Sequence, residues 1–371
     1  MRLHIVPDEK IINRCINSFE TVYPGDNKYI VITSNPQDPR FVKGRARVFF
    51  TKHNSRDFWD LIGDVNQYSA IIVHYLRETS AEFICKINHS NIYWIEWGVD
   101  LYGYMLYPKG YRLYYDKDII WKCSNSKLPR QLYNFLYLAK SKIRSRKYLR
   151  AAKRVKYFVP DSMYDEYPLL LSFYPELNHL EYREFFYYPI DEILGSLLEC
   201  RCSGNSIMVG NSASLTGNHL HAFELLKKLD ISDRQVLVPL SYGVQSYADY
   251  VIKEGQDILG SNLSPITSYL PLDKYNEVLL SANIFIYCNL RQEAVGNILI
   301  ALYLGGKVFL EKDNPLLPFY KNLGLTLFST SDLSQKSIDE PLSEECIKEN
   351  RRILASLYSR ERQLSLIRNN F

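Results

Sequence analysis

The sequence predicts an α/β protein made of two successive Rossmann-like domains and closed by a long C-terminal helix. Three observations carry this reading. At 371 residues the chain exceeds one ordinary domain, and its 46% hydrophobic content is enough for two cores. Short β-branched or aromatic runs alternate with longer mixed segments able to hold a helix, which is the rhythm of β-α-β units and a parallel sheet. That rhythm stops near the middle of the chain and starts again.

In the first half, Leu3–Val6, Tyr29–Thr33, Arg47–Phe50, Ala70–His74 and Ile92–Glu96 have strand composition. Leu132–Lys156 then turns helical and very basic, and Tyr157–Val159 and Phe185–Tyr188 read as the last strands of this half. Residues 190–205, with a Pro-flanked acidic turn and Cys-Ser-Gly-Asn, read as the crossing between domains. A second series begins at Ser206–Gly210 and continues through Gln235–Pro239, Ile266–Leu270, Ile284–Tyr287, Lys307–Leu310 and Leu325–Phe328. From Ser343, an N-cap followed by Glu344 and Glu345, the apolar Ile347, Leu354, Leu357, Leu364 and Ile367 keep one face of a terminal helix. The expected organisation is therefore 1–189, a linker at 190–205, 206–342, and a helix over 343–371.

Composition excludes several classes. A net charge of +4 does not make a nucleic-acid binder. Seven cysteines, an odd number scattered from Cys15 to Cys346, do not form a disulfide framework and suggest a reducing compartment. Cys200 and Cys202 are a C-x-C with no matching ligand cluster nearby. The start, Met1 to Pro7, meets acidic residues at once and reads as a first strand rather than a signal peptide. No run approaches the ~20 apolar residues of a spanning helix, so any membrane contact is expected to be peripheral.

Two segments of the second half suit a diphosphate. Ser206 to Asn218 runs from a strand into a small polar loop containing Gly210, Asn211, Ser212 and Ser214, where backbone N–H groups can approach phosphate beyond the strand end. Arg291-Gln292-Glu293-Ala294-Val295-Gly296-Asn297 follows the strand at Ile284–Tyr287 and opens a helix. Gly296 and Asn297 then lie at a helix N-terminus, with Arg291 as a nearby cation. A plain β-α turn and a capped surface helix have the same compositions. This grip needs no metal, and no cofactor is expected.

The first half offers a carboxylate among aromatics. Trp94-Ile95-Glu96-Trp97-Gly98-Val99-Asp100-Leu101-Tyr102 takes a strand into a glycine turn. Sugar rings stack on aromatic faces, and an acceptor hydroxyl needs a base. Asp100 is the expected base with Glu96 as its competitor, and His74, Glu96, Trp97, Gly98 and Tyr102 are the expected acceptor contacts. An Asx-turn or helix cap explains Asp100 equally simply. Asp116-Lys117-Asp118 has the D-x-D form of some metal-diphosphate sites but falls in the half expected to hold the acceptor. Nine basic residues lie between Lys140 and Lys156 without an acid, interleaved with Ile143, Tyr148 and Leu149. Lys142, Arg144, Arg146, Lys147 and Arg150 are the expected contacts with an anionic membrane surface. A solvated helix face or an RNA-binding patch would share that composition.

Together these residues resemble the family of the TDP-N-acetylfucosamine:lipid II N-acetylfucosaminyltransferase of enterobacterial common antigen synthesis. The resemblance rests on Trp94-x-x-Trp97-Gly98-x-Asp100-Leu101-Tyr102, Val209-Gly210-Asn211-Ser212 with Asn218-His219, Val238-Pro239-Leu240-Ser241-Tyr242-Gly243, Arg291-Gln292-x-x-x-Gly296 and Asn314-Pro315. It implies a GT-B-type glycosyltransferase, its two halves facing each other across a cleft, acting at the cytoplasmic face of a bacterial inner membrane. The implied donor is a TDP-, UDP- or GDP-linked amino or deoxy sugar; the implied acceptor is an undecaprenyl-diphosphate-linked saccharide of O-antigen, capsule or common antigen synthesis. Tyr242, Gln292 and Asn314 join the expected donor contacts. Ile95-Glu96 replaces a His-containing pair, and Glu293-Ala294-Val295 departs from the family's donor loop. A nucleotide-sugar epimerase and a non-catalytic nucleotide-sugar-binding protein are the two other classes the same features admit.

Overall fold

The computed structural model describes residues 1–161 and 165–371. The chain divides into two compact units: unit 1 comprises Met1–Tyr111, Leu138–Pro189 and Arg360–Phe371, and unit 2 comprises Arg112–Tyr137 and Ile190–Ser359.

Unit 1 is built on a parallel sheet of β1 (Arg2–Pro7), β2 (Asn27–Ile32), β3 (Val48–Thr51), β4 (Ala70–His74), β5 (Ile92–Ile95), β6 (Tyr157–Val159) and β7 (Glu181–Tyr182), in the order β3-β2-β1-β4-β5-β6-β7. The central strands are buried along nearly their whole length, the mark of a sheet covered on both faces. The helix Lys10–Val22 buries Ile12, Cys15, Ile16 and Phe19, an i, i+3, i+4, i+7 stripe. Because β1 is followed by β2 on one side and β4 lies on the other, the chain reverses direction across the sheet between β1 and β4. Ligands of such sheets sit beyond the strand ends at that point.

Unit 2 repeats the plan with β8 (Ser206–Val209), β9 (Val236–Pro239), β10 (Leu263–Ile266), β11 (Ala282–Tyr287), β12 (Lys307–Leu310) and β13 (Phe328–Ser329), ordered β10-β9-β8-β11-β12-β13 and all parallel. Its switch point lies between β8 and β11. The core of this unit runs through Ile207, Val209, Phe223, Val238, Val251, Ile284, Ile286 and Phe309.

Three elements differ from expectation. The strand expected at Phe185–Tyr188 is instead the two-residue β7, and Phe185 forms only an isolated bridge to Asp161. The strand expected at Ile266–Leu270 lies earlier, at β10; this is the edge of the sheet, where Pro265 is tolerated because its missing N–H faces no neighbour. The terminal helix is two helices, Glu344–Leu357 and Arg360–Asn370. Ser343 caps the first through Cys346 N, as expected, but Tyr358 leaves helical geometry and its carbonyl accepts from Ile190 N at 2.7 Å. The second helix belongs to unit 1, where Gln363 accepts from Ser18 Oγ at 2.8 Å and Ile367 enters the core.

Candidate active site

At the unit 2 switch point the loop after β8 turns at Gly210 (φ +69), whose amide donates to Ile286 O at 2.9 Å. A Cβ there would stand 2.5 Å from the ring of His219, so this position admits only glycine. His219 is fully buried, bonds Tyr247 Oη at 3.0 Å through Nδ1, and is held neutral by burial, which lowers its pKa to about 4. Asn218 stitches the loop together: its amide donates to Leu113 O, Thr216 O and Cys288 O, and its carbonyl accepts from Tyr115 N. Ser212 is buried, Asn211 is half-buried, and Ser214 Oγ bonds Thr216 Oγ1 at 2.8 Å. Tyr242, in the loop after β9, is 59% exposed.

From the other side of the switch point, the loop after β11 leads into the helix Val295–Tyr303. Its N-cap, Ala294, sits in the left-handed region (φ 64) and supplies no side-chain cap. Gly296 and Asn297 lie in the first turn, whose N–H groups carry the helix's partial positive charge. Asn297 Nδ2 reaches Tyr275 Oη at 3.5 Å. In front of this turn Glu293 gathers donors: Thr216 Oγ1 at 2.5 Å, Asn289 Nδ2 at 2.6 Å and Arg291 Nη2 at 3.1 Å.

Arg291, the cation expected near this turn, is already engaged. It is 5% exposed and paired with Glu293, and Nη1 donates to Gln292 O. Gln292 is buried beside it. Asn314 is also buried, with its Oδ1 accepting from Leu316 N at 2.9 Å as a cap while Nδ2 has no partner among the described residues.

In unit 1, Asp100 does not suit the role of base. Its carboxylate is fully buried and already accepts from Leu76 N at 2.8 Å, Trp94 Nε1 at 2.8 Å and Trp97 N at 2.9 Å. It ties β4 and β5 to the π-helical turn Val99–Leu106 that follows Gly98 (φ +81), and an acceptor hydroxyl has no route to it. Glu96 is sealed too: it accepts from Gly98 N through Oε1, while Oε2, both oxygens of Glu166 and the Tyr102 hydroxyl are buried without a well-formed hydrogen bond among the described residues. Burial first, then the neighbouring carboxylates, pushes Glu96 well above the usual carboxylate range, and burial raises Glu166 as well. Tyr102 is fully buried, so it and Glu96 are corrected from acceptor contacts to core.

His74 is likewise a core residue. It bonds His4 at 3.1 Å and Tyr187 Oη at 2.5 Å, and burial holds it neutral. Trp97 alone of the expected acceptor side chains is partly exposed. Its ring lies parallel to Tyr75, 4° apart at 5.4 Å, and its Nε1 donates to Tyr187 Oη at 3.0 Å. Tyr75 continues the shelf to Tyr104, with their hydroxyls 2.8 Å apart.

Sequence reasoning passed over the loop after β1, where Asp8 and Glu9 were read only as the charges that end a strand. Asp8 accepts the amides of Arg40, Phe41 and Val42 at 2.6, 3.0 and 2.8 Å. Glu9 is half-buried at the N-cap position of Lys10–Val22, yet its side chain makes no cap bond. A carboxylate directly after the first strand of a parallel sheet, beside the switch point, was the signal available.

Two acidic groups bear on metal binding. Asp116 pairs with Lys122 at 2.7 Å, and Asp118 pairs with Arg130 at 3.0 Å and accepts from Asn134 at 2.9 Å, so both carboxylates are spent on a turn. They pack with unit 2, not with the amino-terminal half. The ligand atoms of His221, Cys288 and Glu311 lie within 4.8 Å of one another. His221 pairs with Glu311 at 3.3 Å and stacks on Tyr115 at 3.7 Å, and Thr330 also donates to Glu311. Burial would raise Glu311, but the bonds from His221, Tyr115 and Thr330 outweigh it and bring its pKa down to about 2. Burial pushes the Cys288 thiol well up, away from the thiolate a metal prefers, so Cys288 is a poor ligand and the other two side chains are engaged with each other.

The family described as 4-alpha-L-fucosyltransferase, glycosyl transferase group 56, matches residues 171–364, more than half of the chain. The protein belongs to this family. It is a glycosyltransferase, and its two parallel-sheet units have the GT-B fold. Sucrose-phosphate synthase from Thermosynechococcus elongatus is 10% identical with a TM-score of 0.62, covering 100% of this chain and 98% of that one. WaaG, a glycosyltransferase involved in lipopolysaccharide biosynthesis, is 10% identical with a TM-score of 0.54 and 99% coverage of both chains. The E. coli trehalose-6-phosphate protein bound with UDP-2-fluoro glucose is 10% identical with a TM-score of 0.58, covering 100% of this chain and 98% of that one. At such identities these likenesses speak for the fold alone.

The group 56 match contains the β8, β9 and β11 loops and Asn314-Pro315, but it begins after the tryptophan motif of unit 1. The basic segment is one helix, Arg130–Ala152. On it Leu132, Phe135, Leu136, Leu138 and Ile143 are exposed, Phe135 by 68% and Ile143 by 66%. Leu132, Phe135, Leu136 and Ile143 share one face at i, i+3, i+4 and i+11. Lys142, Arg144, Arg146 and Arg150 are exposed along the same helix. Lys147 differs from expectation: it pairs with Glu78 at 3.6 Å and Glu82 at 3.5 Å. No helix among the described residues is long and apolar enough to cross a membrane.

Proposed function

We propose that this group 56 enzyme takes an amino or deoxy sugar from a nucleoside-diphosphate donor held by unit 2. It transfers that sugar to an undecaprenyl-diphosphate-linked saccharide at the cytoplasmic face of a bacterial inner membrane, in surface-polysaccharide synthesis. The donor diphosphate sits at the first turn of Val295–Tyr303, against Gly296 and Asn297, where it displaces Glu293 as the partner of Arg291. The loop Gly210–Ser214 and Tyr242 flank the nucleoside. The reaction needs no metal from the protein, because helix N–H groups and a guanidinium balance the leaving diphosphate.

The observation that carries the membrane reading is the exposed apolar face of Arg130–Ala152 with its flanking Lys and Arg. Exposed Phe and Leu on one face and basic side chains beside them match an anionic interface, where each charge adds about 1 kcal/mol. A purely solvated helix would not expose five large apolar side chains.

Sedimentation with vesicles tests this. The enzyme is expected to bind phosphatidylglycerol-containing vesicles and not phosphatidylcholine ones, and Phe135→Ser with Ile143→Ser is expected to weaken binding at least tenfold. Equal binding by the double variant would reject the surface. Addition of EDTA is expected to leave transfer unchanged, and its loss would reject the metal-free grip.

A further inference from the structure

At the unit 1 switch point the carboxylates differ in one respect that matters for chemistry. Asp100 is saturated by three N–H donors, Asp8 by three backbone amides, and Glu96 and Glu166 are sealed from solvent. Glu9 is partly accessible, and its carboxylate has no hydrogen bond or ion pair within 4 Å among the described residues. It occupies the N-cap position of a 13-residue helix, in the extended backbone conformation usual there, without capping it. Its oxygens are therefore available to an incoming hydroxyl.

Its surroundings come from both sides of the switch point. Arg77, in the loop after β4, is fixed by a bond from Nη2 to Ile32 O at 3.2 Å and lies 5.9 Å from the centre of the Tyr75 ring. It interacts electrostatically with both Glu9 and Tyr75. Tyr75 is the middle ring of the Trp97-Tyr75-Tyr104 shelf, three partly exposed aromatics of the kind on which sugar rings pack. Asp8, Arg40, Lys10 and Tyr188 are the other charged or titratable groups that act on Glu9. Burial lifts the Glu9 pKa, which makes the carboxylate more basic than an exposed one, and Arg77 opposes that lift.

We propose that Glu9 is the catalytic base of this glycosyltransferase. Its carboxylate takes the proton from the acceptor hydroxyl as that oxygen bonds to the anomeric carbon of the donor sugar. The bond from the anomeric carbon to the diphosphate oxygen breaks, and its electron pair leaves with the nucleoside diphosphate. Arg77 is a positioning residue that keeps Glu9 charged, and the aromatic shelf orients the acceptor ring. A single displacement of this kind gives a product of inverted anomeric configuration. The assignment rests on the reading of unit 1 as the acceptor side and of the donor as a nucleoside-diphosphate sugar.

The test compares wild type, Glu9→Gln and Glu9→Asp. Turnover is measured with lipid-linked acceptor and, separately, with water as acceptor by release of nucleoside diphosphate, since water must lose a proton too. Glu9→Gln is expected to melt like wild type and keep the donor KM, but to lose roughly 10²- to 10⁴-fold in kcat. It should also lose the acidic limb of the pH profile, where wild-type kcat falls as Glu9 is protonated. Glu9→Asp should recover part of the rate. Wild-type-like kcat in Glu9→Gln, in either assay, overturns the proposal and leaves the lipid-acceptor reading untouched. Wild-type enzyme that releases nucleoside diphosphate but glycosylates no lipid-linked saccharide refutes that acceptor reading, and the hydrolysis rates still decide Glu9. A retained anomeric configuration in the product also overturns it.

Discussion

The two switch points of this molecule have the same topology and opposite uses of charge. In unit 2 the strand ends converge on a helix N-terminus and a guanidinium, and the carboxylate in front of that helix, Glu293, is engaged by Thr216, Asn289 and Arg291. In unit 1 the strand ends are crowded with carboxylates, most of which are consumed by the scaffold, while Glu9 has no hydrogen-bond or ion-pair partner among the described residues. An anion site is recognised by donors that lack a permanent partner, and a base site by an acid that lacks one. The residue type alone does not tell them apart; the bonding of each group does.

The largest effect that separates the two regions is expected at Asp100. Asp100→Ala leaves three buried N–H donors unpaired, and it should destabilise unit 1 by on the order of 3 kcal/mol. Chemical denaturation followed by tryptophan fluorescence reads this, with nucleotide binding by unit 2 preserved. A variant as stable as wild type would return Asp100 to the list of chemical residues.

The next effect concerns the sealed pair Glu96 and Glu166. Both are raised, so the folded state holds protons that the unfolded chain has released above its ordinary value of 4.5. Their contribution to stability is full below that value and is lost as pH climbs from it towards the raised folded values. Glu166→Gln is expected to flatten this decline and to raise the melting temperature at pH 8. A melting profile that keeps the same slope between pH 5 and pH 8 in the variant would contradict the pairing.

A smaller effect is expected in unit 2. Glu293→Gln removes the negative charge that occupies Arg291 and should tighten nucleoside-diphosphate binding roughly tenfold, as isothermal titration would show. Weaker binding would mean that Glu293 contacts the ligand rather than competing with it.

Much of the architecture was legible in the sequence because fully buried parallel strands read as short apolar runs. Ala70–His74, Tyr157–Val159 and Lys307–Leu310 fall where composition puts them. The edge strand β10 was misplaced because edges carry a weaker apolar signal, and the break at Tyr358 was missed because it depends on a bond to Ile190, far away in the chain. The donor-side helix start was legible from Gly296 and its neighbours, since helix beginnings are local. Asp100 and His74 were misread because burial and donor saturation are tertiary facts. Glu9 was overlooked because an acid that ends a strand is common, and only its lack of partners sets it apart.

The claim on which the rest depends is that the unit 2 switch point holds a nucleoside diphosphate through Arg291 and the helix that begins at Val295. Isothermal titration of wild type and Arg291→Ala with UDP, GDP, TDP and CMP tests it most directly. The expected result is that one of the diphosphates binds wild type and binds Arg291→Ala at least tenfold more weakly, with both proteins equally folded. An affinity unchanged by the substitution, or no binding by wild type, would contradict it.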